Sequence, residues 1–216
     1  ISWFAERGVR ISVETMRRAY DGEVDSVGHM ELVLLPASEI PGALARGAVH
    51  FGVTGQDLVR DQFSNWADLM REAALLGFGQ ADLVVAVPAA WVDVVDMSDL
   101  DAVAAQFRTN HGHRLRVATK YHNLVRAFFS DHGIADYRTV DSQGATEGSV
   151  KNLMAEAIAD ITSSGATLRD NHLKTLEDGT VLHSQATLYQ SDVADWRGLE
   201  QAREQFLGSL GLDTAG

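Results

Sequence analysis

Apolar and polar positions change rhythm repeatedly along this chain. "ELVLLP" (31–36) is a short apolar run closed by Pro36. "ASEIPGALARG" follows with helical spacing, Ser38 as the expected N-cap and Gly47 as the expected stop. "AVHFGVTG" (48–55) then reads as a strand and "QDLVRDQF" as the helix leaving it. The same exchange recurs in "ADLVVAVP" (81–88), "LRVATKYHNLVRAFFSDHG" (115–133) and "AEAIADITSSGATLRDNHL" (155–173). "VLHSQATLYQ" (181–190) reads as a late strand. "WRGLEQAREQFLGSL" reads as a closing amphipathic helix with Leu199, Ala202, Phe206 and Leu210 on one face. Alternating strands and helices predict an α/β architecture with mainly parallel sheets, and place ligands beyond the carboxyl ends of the strands.

No repeat, low-complexity tract or long linker interrupts the pattern, so two lobes would be joined by strand crossovers. The Pro88 region and the segment near Ser184 are the expected crossings. They give lobe I as 1–87 plus 184–216 and lobe II as 88–183. The first residues, "ISWFAERGV", already carry Trp3, Phe4 and Arg7 at helical spacing, so the natural start is expected upstream of Ile1.

With 216 residues, 45% of them hydrophobic, the chain can build a substantial core. A formal charge of -12 argues against non-specific attraction to nucleic acid or an anionic membrane. An anionic ligand must therefore be held by local groups. The chain has no cysteine, no apolar run near the roughly 18 residues of a membrane span, and no signal-peptide layout at Ile1; a cytoplasmic location is the expectation.

The expected site loops are "VTGQD", "ATKY" and "TSSGAT", each leading from a strand into a helix. In the last, Thr162, Ser163, Ser164, Gly165, Ala166 and Thr167 are small or hydroxylated. Small residues let backbone N–H groups approach an anion, and a helix start adds partial positive charge. Three or four charge-assisted bonds of roughly 1.5–3 kcal/mol each would hold a phosphate without a lysine. The loop is not a P-loop, since no GxxxxGK[ST] is present. Asp160, just before it, would repel a phosphate and suits ribose hydroxyls instead. Glu156, four residues earlier, would face the same side of an extended chain. A sugar phosphate is one reading; a capped turn with Asp160 beside a helix dipole satisfies the same pattern.

"EAIADITSSGATL" resembles the phosphoribosyl-diphosphate (PRPP)-binding segment of the ATP phosphoribosyltransferase family. "LARGAVHFGVTGQDLV", "LGFGQADLVVAVP", "VATKYHNLVRAFFSDHGI" and "LHSQATL" resemble the same family in the same order, so the likeness covers roughly residues 30–190. "ASEI", "AVPAAWVDV" and "ATEG" look most like its short form, which lacks a C-terminal histidine-binding domain. The resemblance implies transfer of the phosphoribosyl group of PRPP to N1 of the adenine of ATP, releasing pyrophosphate with Mg2+ present. This is the first step of histidine biosynthesis. It further implies two lobes like those of type II periplasmic binding proteins, with the active site in the cleft between them. It also implies a homo- or hetero-oligomer, with a histidyl-tRNA-synthetase-like regulatory subunit as partner.

Carried over by position, the resemblance assigns Thr162, Ser163, Ser164, Gly165, Ala166 and Thr167 to the 5'-phosphate, and Glu156 and Asp160 to the ribose. Lys120 and Tyr121 in "ATKY", with Gly55 and Asp57 in "TGQD", are assigned to the nucleotide or diphosphate. It singles out no catalytic acid, base or nucleophile. "LGFG" (76–79) suits a hinge or an ordinary turn. The family opens with a strand and a basic Lys-Gly-Arg loop that contributes to its active site. Here that segment would precede Ile1. "HGH" (111–113) lacks further ligands at metal spacing and reads as a surface turn. The competing class is a two-lobed binding or effector-sensing module without catalysis, since such folds also bind without reacting.

Overall fold

The computed structural model describes residues 1–13, 21–24, 30–142 and 146–212. In chain order the elements are α1 (Ser2–Ala5), β1 (Ile11–Val13), β2 (Asp21–Val24), β3 (Glu31–Val33), α2 (Ile40–Ala45), β4 (Phe51–Gly55) and α3 (Gln56–Gln62). A 3-10 turn at Trp66–Asp68 leads to β5 (Met70–Leu75), β6 (Ala81–Pro88), α4 (Met97–His111), β7 (Leu115–Thr119) and α5 (His122–Asp131). The remainder is β8 (Tyr137–Asp141), α6 (Gly148–Lys151), β9 (Ala157–Thr162), α7 (Ala166–Asp170), β10 (Leu173–Ser184), β11 (Ala186–Ser191) and α8 (Glu200–Ser209). Among the described residues no helix is long and apolar enough to cross a membrane.

The chain forms two compact units. The first comprises Ile1–Gly55, Asn65–Leu76 and Ala186–Gly216; the second comprises Gln56–Ser64 and Gly77–Gln185. In the first, β11 lies between β4 and β5, antiparallel to both. Its core gathers Trp3, Phe4, Val9, Leu76, Leu188, Phe206 and Leu210. A separate antiparallel sheet runs β1-β2-β3. Gly47 at φ +68 ends the chain's turn out of α2, as its position suggests, whereas the N-cap is Glu39 rather than Ser38.

The second unit is built on a five-stranded sheet, order β10-β6-β9-β7-β8. Residues of β6 are buried on both faces: Leu83, Val85 and Val87 join one core with Leu115, Val117, Val125 and Phe129, while Val84 and Ala86 join the other with Ile158 and Leu168. That explains why "LVVAVP" (83–88) is an unbroken apolar run. Helix α4 begins in a capping box, Asp96 accepting from the Asp99 N–H while the Asp99 carboxylate accepts from Asp96 N–H.

Three expectations change here. The sheets are mixed rather than mainly parallel: only β7 pairs in parallel, with β8 and β9, and the other described pairings are antiparallel. Strands that return to a sheet from outside a βαβ crossover are free to pair antiparallel. "VLHSQATLYQ" is two strands divided at Gln185, one in each unit's sheet. Finally, β6 belongs to the second unit because it pairs with β9 and β10. After an earlier entry at Gly55/Gln56, the chain passes into that unit again at Leu76/Gly77, inside "LGFG", rather than near Pro88. Gly77 and Gly79 both take positive φ there, +72 and +65.

Candidate functional site

Strand β9 delivers the hydroxyl-rich loop. Along it Ala157, Ala159 and Ile161 pack into one core, so Ile158, Asp160 and Thr162 point to the opposite face, the one bearing α7. The strand then turns through Ser163, Ser164 and Gly165, whose φ of +67 reverses the chain into α7. The Gly165 N–H donates to Thr162 Oγ1 at 2.8 Å, and the Ala166 N–H donates to Ser164 Oγ at 3.3 Å. Each hydroxyl oxygen accepts from the backbone and so keeps its own O–H to donate outward. Ser163, Ser164, Ala166 and Thr167 are exposed. The loop is thus shaped by its own side chains and presents donors to solvent.

Arg169 adds a cation that the sequence reading passed over. From the end of α7 its Nη1 donates to the Ser164 carbonyl at 3.1 Å, and the same atom lies 3.0 Å from where a Cβ on Gly165 would stand. A basic residue one helical turn past the glycine was the available signal.

Beside this loop opens a cavity of about 340 Å³ within the second unit. Thr162 and Ser163 form one wall, Gln80, Ala81 and Asp82 the middle, and His183, Ser184 and Gln185 the far wall. Strand register explains the grouping: Thr162 pairs with Asp82, and Asp82 pairs with His183. Asp82 accepts a hydrogen bond from His183 Nδ1 at 2.7 Å.

The other assigned residues divide. Asp160 lies two residues before Thr162 on the same face, its carboxylate accepting from its neighbour's N–H, Ile161, at 2.9 Å. Lys120 is exposed just past β7, where Thr119 pairs with Ala159, so it stands across from Asp160 at the carboxyl end of the parallel strands. Gly55 ends β4 in the first unit, opposite Ala186.

Asp57 and Tyr121 are buried together in the second unit. Tyr121 Oη donates to Asp57 Oδ2 at 3.0 Å, and Ser184 Oγ donates to Asp57 Oδ1 at 2.7 Å. Burial first, then the Asp57 charge, pushes the Tyr121 phenol far above its ordinary range, so it remains a donor. One turn along α3, Asp61 accepts the N–H groups of Asn123 and Leu124 at 2.9 and 3.0 Å. Two carboxylates of α3 thereby grip the start of α5. Tyr121 and Asp57 face each other rather than an open surface.

Glu156 does not share the site. It lies at the amino end of β9, about 13 Å along an extended chain from Asp160. Its carboxylate accepts from the Arg116 N–H at 2.7 Å and from Arg116 Nη2 at 2.6 Å. Burial would raise its pKa, but the Arg116 hydrogen bonds and charge prevail and hold it below the ordinary value. Strand distance and a partner on β7 decide what the carboxylate can reach.

Known proteins resemble the chain over most of its length. A family model described as ATP phosphoribosyltransferase matches residues 36–210. An ATP phosphoribosyltransferase of Cereibacter sphaeroides is 59% identical over 90% of this chain and 82% of its own length. One from Mesorhizobium japonicum is 51% identical over 91% of this chain and 85% of its own. Against one from Rhodopseudomonas palustris, 51% identical over 94% of this chain, the match spans only 63% of the relative's length. Among solved structures, the ATP phosphoribosyl transferase (HisG:HisZ) complex from Thermotoga maritima superposes with a TM-score of 0.72, at 18% identity, over 97% of this chain and 88% of that one. The substrate binding protein of an amino acid ABC transporter shares the fold at a TM-score of 0.50 and 11% identity, over 82% of this chain and 70% of that one. With a loop of this sequence and shape at the end of β9, the chain belongs to the ATP phosphoribosyltransferase family.

Proposed function

We propose that this chain transfers the phosphoribosyl group of PRPP to N1 of the adenine of ATP, releasing pyrophosphate, as the first step of histidine biosynthesis. The observation that carries this reading is the β9 loop, with its preformed turn, outward hydroxyls and Asp160 set two residues behind. The 5'-phosphate takes hydrogen bonds from Thr162, Ser163, Ser164 and Thr167, with Gly165 and Ala166 keeping the approach clear. Asp160 accepts from the ribose hydroxyls and fixes the sugar's orientation. Lys120 serves the diphosphate or nucleotide from the neighbouring strand end. Asp57 and Tyr121 are structural supports of that strand end rather than ligand contacts.

Such a reaction needs two polyanions brought together, a leaving pyrophosphate whose charge is offset, and a cationic ribosyl transition state tolerated. The carboxylate of Asp160 beside the sugar suits the last. Among the described residues no three His, Asp or Glu side chains gather as a metal site. Mg2+ would arrive with the diphosphate and supply positive charge that an acidic protein lacks. The Thermotoga maritima neighbour is a HisG:HisZ complex. By analogy with it, a histidyl-tRNA-synthetase-like regulatory subunit is the partner proposed for this chain, in a cytoplasmic hetero-oligomer of the short form.

The test is calorimetric titration with Mg-PRPP, then pyrophosphate release on adding ATP, with and without the regulatory subunit. Saturable binding followed by ATP-dependent release is the expected result. PRPP binding with no release under either condition would leave the non-catalytic binding module standing.

A further inference from the structure

From the cavity beside the β9 loop we infer that His183 is a further contact for the 5'-phosphate, oriented by Asp82. The inference rests on the phosphate-loop reading above. Thr162, Asp82 and His183 are successive cross-strand partners on β9, β6 and β10, so their side chains stand on one face in a row, about 4.8 Å apart from strand to strand. The same three residues line the cavity of about 340 Å³, Thr162 with Ser163 on one wall and His183 on the other. A phosphate bonded to the Ser163 wall has His183 on its far side.

The ring is already oriented. Its Nδ1 is engaged by Asp82 Oδ1 at 2.7 Å, which leaves Nε2 as the nitrogen open to a ligand. In its protonated form imidazole donates from both nitrogens, Nδ1 to the carboxylate and Nε2 to a phosphoryl oxygen. Asp82, standing between loop and ring, would repel a phosphate alone; paired with His183 it becomes the group that holds the donor in place. The His183 side chain is 82% exposed, so its alignment does not come from core packing. When protonated, His183 thus adds a charged donor on the wall opposite the loop.

The experiment measures Mg-PRPP and ATP affinity calorimetrically for the wild-type chain and for Thr162→Ala, His183→Ala, His183→Gln, His183→Asn and Asp82→Ala. Glutamine carries an N–H near the place of Nε2, asparagine near that of Nδ1. Expected are about a tenfold or larger loss of Mg-PRPP affinity in His183→Ala, in line with a charge-assisted bond, partial recovery in His183→Gln but not in His183→Asn, and unchanged ATP affinity. Asp82→Ala should lose several-fold, and the double variant His183→Ala/Asp82→Ala should be no weaker than His183→Ala. If Thr162→Ala weakens binding and His183→Ala does not, this inference falls and the loop reading stands. Equal recovery by glutamine and asparagine, or equal loss of ATP affinity, also overturns it. No Mg-PRPP binding by the wild-type chain, or full affinity in both Thr162→Ala and His183→Ala, removes the loop reading and this inference together.

Discussion

The turns after β7 and β9 leave neighbouring parallel strands and each opens a helix, yet one is stoppered and the other stands open. At α5, Asp61 takes the N–H groups of Asn123 and Leu124, and Asp57 takes the Tyr121 hydroxyl. At α7 the loop closes on itself through Thr162 and Ser164, and the surface above stays exposed. A strand-to-helix turn is an anion site only if no other element supplies the anion first. Here α3 supplies two carboxylates to one turn and none to the other.

The largest expected break in that contrast is Gly165→Val. The side chain would meet Arg169 at a backbone φ of +67, and correcting the strain reshapes the loop. Losing two charge-assisted bonds predicts about a hundredfold weaker Mg-PRPP binding by calorimetry. Next, Asp160→Asn should weaken PRPP binding about tenfold while leaving ATP affinity near wild type. Equal loss of both in a folded variant would count against its ribose role.

The stoppered turn should respond in stability rather than affinity. Tyr121→Phe leaves buried Asp57 without one donor, a cost of about 1–3 kcal/mol in chemical denaturation. It should also change the alkaline limb. The folded phenol holds its proton more tightly than the unfolded one, so this contribution is complete below the ordinary value of 10.0 and declines above it. The variant should lack that decline. Asp61→Ala removes the α5 cap at about 1 kcal/mol, read as a lower melting temperature.

Smallest of all, Glu156→Gln should leave Mg-PRPP affinity within about twofold, since its partner is Arg116 at the opposite strand end. Its folded carboxyl titrates below the ordinary 4.5, so its stabilising contribution exists above that pH and is lost as pH falls through the lower folded value. The variant's stability profile should be flatter in acid, while a marked affinity loss would restore Glu156 to the site.

How much of this was legible in the sequence depended on whether the deciding contact was local. "ADLVVAVP" announced β6 because burial on both faces leaves no polar position from Leu83 onward. "TSSGAT" announced its loop because glycine and hydroxyl groups shape it from within. The Asp57–Tyr121 bond was not legible because the two lie 64 residues apart in sequence. The Glu156–Arg116 pair was not legible because only the β7–β9 pairing brings the two together. Strand β5 went unread, its Arg71 and Glu72 interrupting the apolar signal in a strand only partly buried along its length. The α4 cap of Asp96 and Asp99 lies outside the elements expected from the sequence, and "VLHSQATLYQ" gave no sign of a division at Gln185.

The position of β11 in the middle of its sheet bears on how the protein is born. Synthesis delivers β4 and β5 early, but the strand that joins them, Ala186–Ser191, emerges only after the whole β6–β10 sheet has been made. The second unit, apart from α3, is one contiguous stretch and can condense while the ribosome is still working. The first must keep two bare strand edges waiting for their common partner. Pulse-labelled amide exchange during refolding should therefore find β6 and β9 protected before β4 and β5, and the reverse order would reject this sequence of events.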